Sequence, residues 1–109
     1  PKKMEKLVDF INNSNLHPVE LAARAHHRLV AIHPFADGNG RLGRLLMNLL
    51  LMKEGFVPVI IRNEEREEYY RSLNEADQGN YEEFLSLIAT EEENSLKIML
   101  EICEKELEE

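Results

Sequence analysis

The chain has 109 residues, of which 43% are hydrophobic, and a formal net charge of −8 at pH 7. This length and composition indicate one compact domain with its own core, and the negative charge argues against a nucleic-acid backbone as partner. The single cysteine, Cys103, excludes an internal disulfide, and its amphipathic surroundings predict a packed thiol. No apolar run approaches the roughly 18 residues of a membrane span and no secretory leader is visible, so a cytoplasmic location is expected.

The spacing of apolar residues predicts an all-α fold, a bundle of about six helices. A first short helix ends at the polar run 12–15, and Pro18 suits the first turn of a second helix. A third helix is predicted from about Gly40 to Lys53, with Gly55 as its C-cap.

The second half of the chain is predicted to be helical after one extended connector. Segment 57–61 is β-branched but contains proline, which favours a connector over a strand. Asn63 precedes a fourth helix, which Gly79 ends. Asn80 begins a near capping box and predicts a fifth helix, and an acidic sixth helix is expected from about Glu91.

The segment 33–44, between the second and third helices, combines a base, a carboxylate, a glycine-flanked turn and two arginines. A nucleoside triphosphate with its magnesium ion needs bared backbone N–H groups, a hard oxygen ligand for the cation and arginine forks for the outer phosphates. The segment therefore predicts a polyphosphate site. Its candidate residues are His33, Asp37, Gly38, Asn39, Gly40, Arg41 and Arg44.

Each residue type in this segment has a physical reason to be there. Gly38 and Gly40 lack a Cβ, so the turn can adopt positive φ and phosphate oxygens can approach the main chain. Arg41 and Arg44 are three residues apart and share one face of the third helix. The carboxylate one residue before the turn is placed for magnesium. A neutral imidazole at His33, with a reference pKa of about 6.5, can accept a hydroxyl proton.

A purely structural interpretation accounts for each of these residues alone. Asp-Gly and Asn-Gly are common turn dipeptides, arginines in an acidic chain can pair with carboxylates, and a histidine at a helix end is often a cap. A structural turn, however, needs neither two arginines on one face nor a histidine five residues before the first glycine. The combination favours the site.

The segment closely resembles the signature of the Fic domain, H-x-F-x-(D/E)-G-N-G-R-x-x-R. The resemblance extends to segments 16–23, 45–48, 55–56 and 69–70, and it is closest to the AMP-transferring branch of the family. It implies a Fic-fold helical bundle with the active-site loop between helices two and three. The matched positions of the signature are His33, Phe35, Asp37, Gly38, Asn39, Gly40, Arg41 and Arg44.

The resemblance implies a protein adenylyltransferase, which transfers AMP from ATP to a Ser, Thr or Tyr hydroxyl of a target protein and releases pyrophosphate. His33 resembles the general base that takes the proton of the attacking hydroxyl. Asp37 resembles the ligand of the Mg²⁺ cofactor, and Phe35 resembles the apolar anchor of the loop.

The remaining matched positions resemble contacts to the nucleotide. Residues 38–40 resemble the anion hole around the α- and β-phosphates. Arg41 resembles a phosphate contact, and Arg44 resembles the clamp on the γ-phosphate. Tyr70 and Asp77 fall where the family lines its nucleoside pocket, although many relatives have Asn at the latter position.

Two departures from the family pattern bear on activity. The sequence begins at Pro1 without an initiator Met, so we expect an excerpt of a longer protein. In the family a β-hairpin flap before the first helix positions the target segment, and without it we expect this excerpt to bind nucleotide but modify targets poorly. Many relatives also carry an inhibitory helix, (S/T)-x-x-x-E-(G/N), and the nearest string, 89–94, has Ala89 at the hydroxyl position. The inhibitor is therefore expected upstream of Pro1 or on a partner chain.

Three further histidines, His17, His26 and His27, invite a metal interpretation. His26 and His33 are seven residues apart and could share a helix face, but no third protein ligand stands at binding spacing from this pair and the chain has one cysteine. Cap or packing roles are therefore expected instead of a zinc site.

The function expected from the sequence is AMP transfer, with ATP, Mg²⁺ and a target protein as partners and a homodimer as a further expectation. Two alternatives stay open. The domain could move another phosphate-containing group or remove AMP, or it could be a nucleotide-sensing module without catalysis. Retention of His33 argues against the second alternative, because binding alone does not need a base.

Overall fold

The structure, a computed structural model, describes residues 2–32 and 38–108 and is helical almost throughout. Its α-helices in chain order are α1 (Lys2–Asn13), α2 (Pro18–Ile32), α3 (Asn39–Lys53), α4 (Arg66–Asp77) and α5 (Glu82–Glu108), and a 3₁₀ turn, Asn63–Glu65, precedes α4. The predicted all-α fold is confirmed, and the described part of the chain contains no strand.

The predicted helix ends at glycine are confirmed for α3 and α4. Gly55 has φ of 84° and Gly79 has φ of 92°, the left-handed conformation that glycine adopts without strain. After α3, the Phe56 N–H donates to the Leu51 carbonyl at 2.9 Å, which satisfies one of the last helical carbonyls.

The prediction of separate fifth and sixth helices is wrong, because α5 runs without interruption from Glu82 to Glu108. The residues around the expected boundary at Glu91 include alanine and three glutamates, which favour a helix, and no glycine or proline, so the backbone has no reason to break. Asn80 does act at the start of this helix, since its Oδ1 accepts a hydrogen bond from the Glu82 N–H at 3.3 Å.

The prediction of a packed Cys103 thiol is also wrong, because Cys103 is exposed. Every described residue from 96 to 108 is exposed, so the second half of α5 extends past the core. The apolar periodicity of this segment predicted a helix correctly. It could not show that the apolar face would stay uncovered by the other described elements.

Helix α2 is the centre of the bundle and packs against α1, α3, α4 and α5. The larger core cluster joins α2 to α3, α4, α5 and the connector through Ala22, Met47, Val59, Tyr69 and Phe84. A smaller cluster packs α1 on the other side of α2 through Leu7, Ala25 and Leu29. The small residues of α2 let its neighbours approach closely.

The connector after α3 is held by side chains of two helices. The Asn48 amide on α3 accepts from the Val59 N–H at 2.8 Å and donates to the Val59 carbonyl at 3.0 Å. The Val57 N–H donates to Glu92 Oε1 of α5 at 3.0 Å. The predicted extended connector is therefore confirmed. None of the helices described here has the length and apolar character that a membrane crossing requires.

Candidate functional site

The candidate site begins at the N-terminus of α3. Gly38 is the N-cap residue with φ of 79° and ψ of 9°, a left-handed conformation that non-glycine residues rarely adopt. Its carbonyl accepts the first bond of the helix from the Leu42 N–H at 3.0 Å. The turn at the predicted position thus opens directly into a helix, whose first N–H groups have no partner within the helix.

Both arginines of the segment fold back over this first helical turn. A Cβ placed on Gly38 would lie 3.9 Å from Arg41 Nη2, and a Cβ placed on Gly40 would lie 3.3 Å from Arg44 Nη1. The guanidinium groups and the helix N-terminus therefore present positive charge at one end of α3. A polyphosphate is the kind of ligand that such an arrangement attracts.

Arg44 lines a polar cavity of about 120 Å³ at this end of α3. Two more arginines line the same cavity, Arg62 directly after the connector and Arg66 in the first turn of α4, together with Tyr69 and Tyr70. Three guanidinium groups thus line one small space, and carboxylates next to the cavity offset the charge of one of them, Arg62.

Arg62 is held by three carboxylates beside the cavity. Its guanidinium lies 3.1 Å from Glu65, 3.5 Å from Glu64 and 3.7 Å from Glu91. Burial and the neighbouring Glu65 raise the pKa of Glu91 to about 7. The three carboxylates hold Arg62 beside the cavity. Close to neutral pH, Glu65 and Glu91 share one proton.

Tyr69 connects the cavity to the core of the bundle. Its hydroxyl lies 2.7 Å from Nε2 of His26, which is fully buried on α2. Burial, followed by the positive charge of Arg44, lowers the pKa of His26 to about 3, so this imidazole is neutral at physiological pH. His26 is thus a packed histidine, as the sequence predicted.

His17 and His27 also have structural partners. His17 Nδ1 accepts from the Val19 N–H at 3.1 Å and so caps α2. His27 is buried, with Nδ1 2.8 Å from the Tyr81 hydroxyl and Nε2 2.8 Å from Asp77 Oδ1. Residues 2–32 and 38–108 contain no group of three side chains that could hold a metal ion.

The two residues expected to line a nucleoside pocket are placed differently. Tyr70 lines the Arg44 cavity and is half exposed, with its ring 5.2 Å from that of Tyr69. Asp77 lies two turns further along α4, contacts His27 and is not among the residues around the Arg44 cavity. Because positions seven apart share a helix face, both carry groups on one side of α4.

Three predicted residues, His33, Phe35 and Asp37, lie outside the described residues, as does the side chain of Asn39. Their roles stay predictions. The two described elements that bracket them are α2, which ends at Ile32, and α3.

The glutamate of the string 89–94 that stands at the inhibitory position, Glu93, does not line the arginine cavity, although Glu91 of the same string lies 3.7 Å from Arg62. Glu93 is exposed on α5 and lines a separate cavity with His17, Val19 and Glu20, near the start of α2.

Sequence reasoning missed Arg62, Arg66 and the role of Tyr69 at the cavity. One signal was available for Arg66, which is the first residue of α4. A cation there opposes the helix dipole, and residues that break a local rule are often functional. Tyr69 gave no such signal, because an aromatic residue at helical spacing looks like any other core residue.

Known protein families give an independent comparison. The Fic/DOC family matches residues 1–51. Two curated relatives, both named protein adenylyltransferase Fic, are 47% identical over 96 residues in Nematostella vectensis and 48% identical over 100 residues in Drosophila willistoni. These alignments cover 82% and 89% of this chain but only 22% and 20% of the relatives. The chain therefore spans about a fifth of their length.

Solved structures show the same similarity in three dimensions. Fic-1 from C. elegans superposes with a TM-score of 0.89 at 40% identity, covering 96% of this chain and 33% of that chain. A Fic-domain-containing signaling protein from Bacteroides thetaiotaomicron gives 0.83 at 33% identity, covering 89% of this chain and 43% of its own. With the helix order, the glycine turn and the arginines in place, these matches show that the chain belongs to the Fic/DOC family.

Proposed function

We propose that this chain is the core of a protein adenylyltransferase that moves AMP from ATP to a hydroxyl side chain of a target protein. The observation that carries the proposal is the position of Arg41 and Arg44, whose guanidinium groups fold back over the glycine turn at the start of α3. This arrangement suits a triphosphate that enters at a helix N-terminus. The names of the curated relatives support the same activity.

The reaction is a displacement at the α-phosphorus. A target hydroxyl oxygen forms a bond to the α-phosphorus, the bond from that phosphorus to the bridging oxygen of the β-phosphate breaks, and pyrophosphate leaves with the electron pair. His33, as general base, takes the hydroxyl proton. Backbone N–H groups of residues 38–40 and the two arginines balance the charge on the phosphates.

The donor set fits a magnesium-bound triphosphate. The described arginines supply charge but no oxygen ligand, so Asp37, adjacent to the described turn at Gly38, would hold Mg²⁺. The ion supplies charge neutralisation on the phosphates when bound. We propose further that the target residues carry hydroxyl groups and that an inhibitory helix lies on an upstream segment or on a partner chain. A homodimer and a cytoplasmic location are part of the same proposal.

The proposal is tested by following two labels of ATP in the full-length protein incubated with a cell lysate. Label in the α-phosphate should appear on target protein, whereas label in the γ-phosphate should leave with pyrophosphate. Transfer of γ-label would indicate phosphate transfer, and nucleotide binding without transfer of either label would indicate a sensing module. Either outcome would overturn the proposal.

The His33→Ala variant is the matched control for chemistry. It should reduce transfer by about 100-fold or more, since removal of a general base typically costs that much, while ATP affinity by calorimetry changes little. A collapse of ATP affinity along with transfer would make His33 a ligand residue.

The magnesium assignment has its own test. Asp37→Ala should weaken ATP binding with Mg²⁺ present more than it weakens binding with a chelator present, because only the former depends on the carboxylate. Equal losses in both conditions would reduce Asp37 to a residue of the turn.

A further inference from the structure

Three side chains from three helices form a line from the core to the arginine cavity. His26 on α2 is fully buried, Tyr69 on α4 is 3% exposed, and Arg44 on α3 is half-buried and reaches the cavity. The imidazole and hydroxyl are 2.7 Å apart, and the Arg44 Cζ lies 5.9 Å from the centroid of the Tyr69 ring. Burial raises the pKa of the Tyr69 hydroxyl, and hydrogen bonding and the positive charge of Arg44 act against this rise, which indicates that the two groups are close.

The hydrogen-bond donors and acceptors of Arg44, Tyr69 and His26 determine where the Tyr69 and His26 protons lie. An arginine side chain has only donors, so the Tyr69 oxygen can only accept from Arg44. The Tyr69 O–H must then point the other way, where Nε2 of His26 accepts it. That fixes the imidazole proton on Nδ1, which faces the Met47 sulfur at 3.5 Å. Each of these buried groups thereby has a partner.

We infer that Tyr69 and His26 are positioning residues for Arg44: the buried imidazole orients the Tyr69 hydroxyl, and that hydroxyl holds the guanidinium at the cavity. The inference rests on the proposed function in so far as Arg44 is taken to bind the outer phosphates of ATP. The contact with Tyr69 limits the positions of a long, flexible side chain before the ligand arrives, and such preorganisation strengthens binding.

A second contact supports this placement. Arg44 Nη1 lies over the first turn of α3, 3.3 Å from where a Gly40 Cβ would be. The guanidinium therefore has the first turn of α3 on one side and the Tyr69 side chain on the other. Loss of the hydroxyl removes the bond to His26 that holds this tyrosine in place.

The first measurement does not depend on nucleotide. Solvent exchange of the Arg44 guanidinium protons is followed by NMR, with the signal assigned by its loss in Arg44→Ala. Tyr69→Phe, which keeps the ring, should accelerate this exchange several-fold. The control is Tyr81→Phe, which removes the hydroxyl of the neighbouring histidine–tyrosine pair at His27 and should leave the Arg44 signal unchanged.

The second measurement is a double-mutant cycle of ATP affinity by calorimetry. Tyr69→Phe should weaken ATP binding about tenfold when Arg44 is present, the scale of one hydrogen bond to a charged group. In the Arg44→Ala background the same change should have less than about a twofold effect. A purely structural role of Tyr69 would give the same loss in both backgrounds.

The two measurements separate the inference from the proposed function. Unchanged guanidinium exchange in a folded Tyr69→Phe protein overturns the inference, and so does an equal loss of ATP affinity with and without Arg44. If Arg44→Ala leaves ATP affinity intact, the proposed phosphate clamp fails while the exchange measurement still decides the positioning. His26→Gln, verified as folded by circular dichroism, should accelerate Arg44 exchange as Tyr69→Phe does.

Discussion

Gly43 is buried where α3 packs against α2. A Cβ at this position would lie 2.9 Å from Val30 Cγ2 and 3.0 Å from His26 Cδ2, closer than real side-chain contacts. Both neighbours belong to α2, so the missing side chain lets the two helices approach. The close packing of Gly43 against α2 also positions the N-terminal end of α3, from which Arg44 reaches the cavity.

Gly43→Ala should therefore lower the free energy of unfolding by about 1–3 kcal/mol, despite the better helix propensity of alanine, because overpacking forces the helices apart. The matched control on the same helix is Gly40→Ala, whose closest neighbour is the movable end of the Arg44 side chain. That variant should be neutral or slightly more stable. Urea unfolding of both variants checks this, and equal effects would contradict the packing argument.

The neutral His26 predicts a loss of stability in mild acid. Its pKa is about 6.5 in the unfolded chain and is lowered to about 3 in the fold by burial and then by Arg44. The unfolded state therefore binds more protons below pH 6.5, and stability is lost as the pH falls from 6.5 towards 3. At pH 5 the loss should be about 2 kcal/mol relative to pH 7.

Glu91 and Glu92 oppose this trend, so both must be replaced to observe it. Burial raises the pKa of both carboxyl groups, that of Glu91 to about 7, so their protonation stabilises the fold as the pH falls towards their unfolded values. In a protein with both Glu91→Gln and Glu92→Gln, urea unfolding at pH 7 and pH 5 should show the His26 loss. A flat profile in that background, or NMR evidence that the His26 ring is charged at pH 5, would be inconsistent with the burial argument.

The motif of fixed spacing predicted a glycine turn that opens a helix, and the structure has this turn, whereas the roles of the motif residues stay predictions. The glycine turn stands at the start of α3, and Arg41 and Arg44 lie over it. Gly43 lies within the same segment but outside the specified positions, and its packing against α2 depends on which residues α2 presents there. That is a tertiary contact, which spacing within one helix does not reveal.

At the scale of elements, the Asn48 side chain makes the hydrogen bonds to the connector backbone that a neighbouring strand would make in a sheet. Its side-chain amide makes both hydrogen bonds of the Val59 backbone, which is buried with Val59 only 2% exposed. Without it, a buried N–H and a buried carbonyl would lack partners. The connector carries Arg62 to the cavity, so the amide positions part of the site.

Asn48→Ala should lower the unfolding free energy by about 1–3 kcal/mol, the penalty for leaving buried backbone groups unpaired. Amide hydrogen exchange at Val59 should accelerate more than exchange in α2. The control is Asn13→Ala, which removes an exposed side-chain bond to the Asp9 carbonyl and should cost little. Unchanged exchange at Val59 would argue against the clamp.

Helix existence was predictable from apolar spacing and helix ends from glycine, because both are local properties. The connector was predictable for the same reason, since proline and β-branched residues disfavour a helix. What the local pattern could not supply was the partner of each element. In the sequence, Asn48 is one polar residue within a helix, and nothing local shows that it binds the connector. The acidic run around Glu91 resembles the start of a new helix, because its partners Val57 and Arg62 are distant in sequence.

At the scale of the whole molecule, the core ends well before α5 does. Phe84 is fully buried near the start of this helix, whereas Leu107 near its end is 87% exposed. Phe84→Ala should therefore cost about 3–5 kcal/mol of unfolding free energy. Leu107→Ala should stay within about 0.5 kcal/mol of the parent protein. Thermal and urea unfolding of the two variants checks this, and a large effect of Leu107→Ala would show that something covers the end of α5.

The long α5 also sets how the molecule tumbles. With 27 residues it measures about 40 Å along its axis, and the described chain extends over 53 × 30 × 26 Å. A body nearly twice as long as it is wide rotates more slowly about its short axes than about its long axis. Nitrogen-15 relaxation should therefore depend on the direction of each N–H bond, and α5, whose N–H bonds all point along one axis, should stand apart from helices inclined to it.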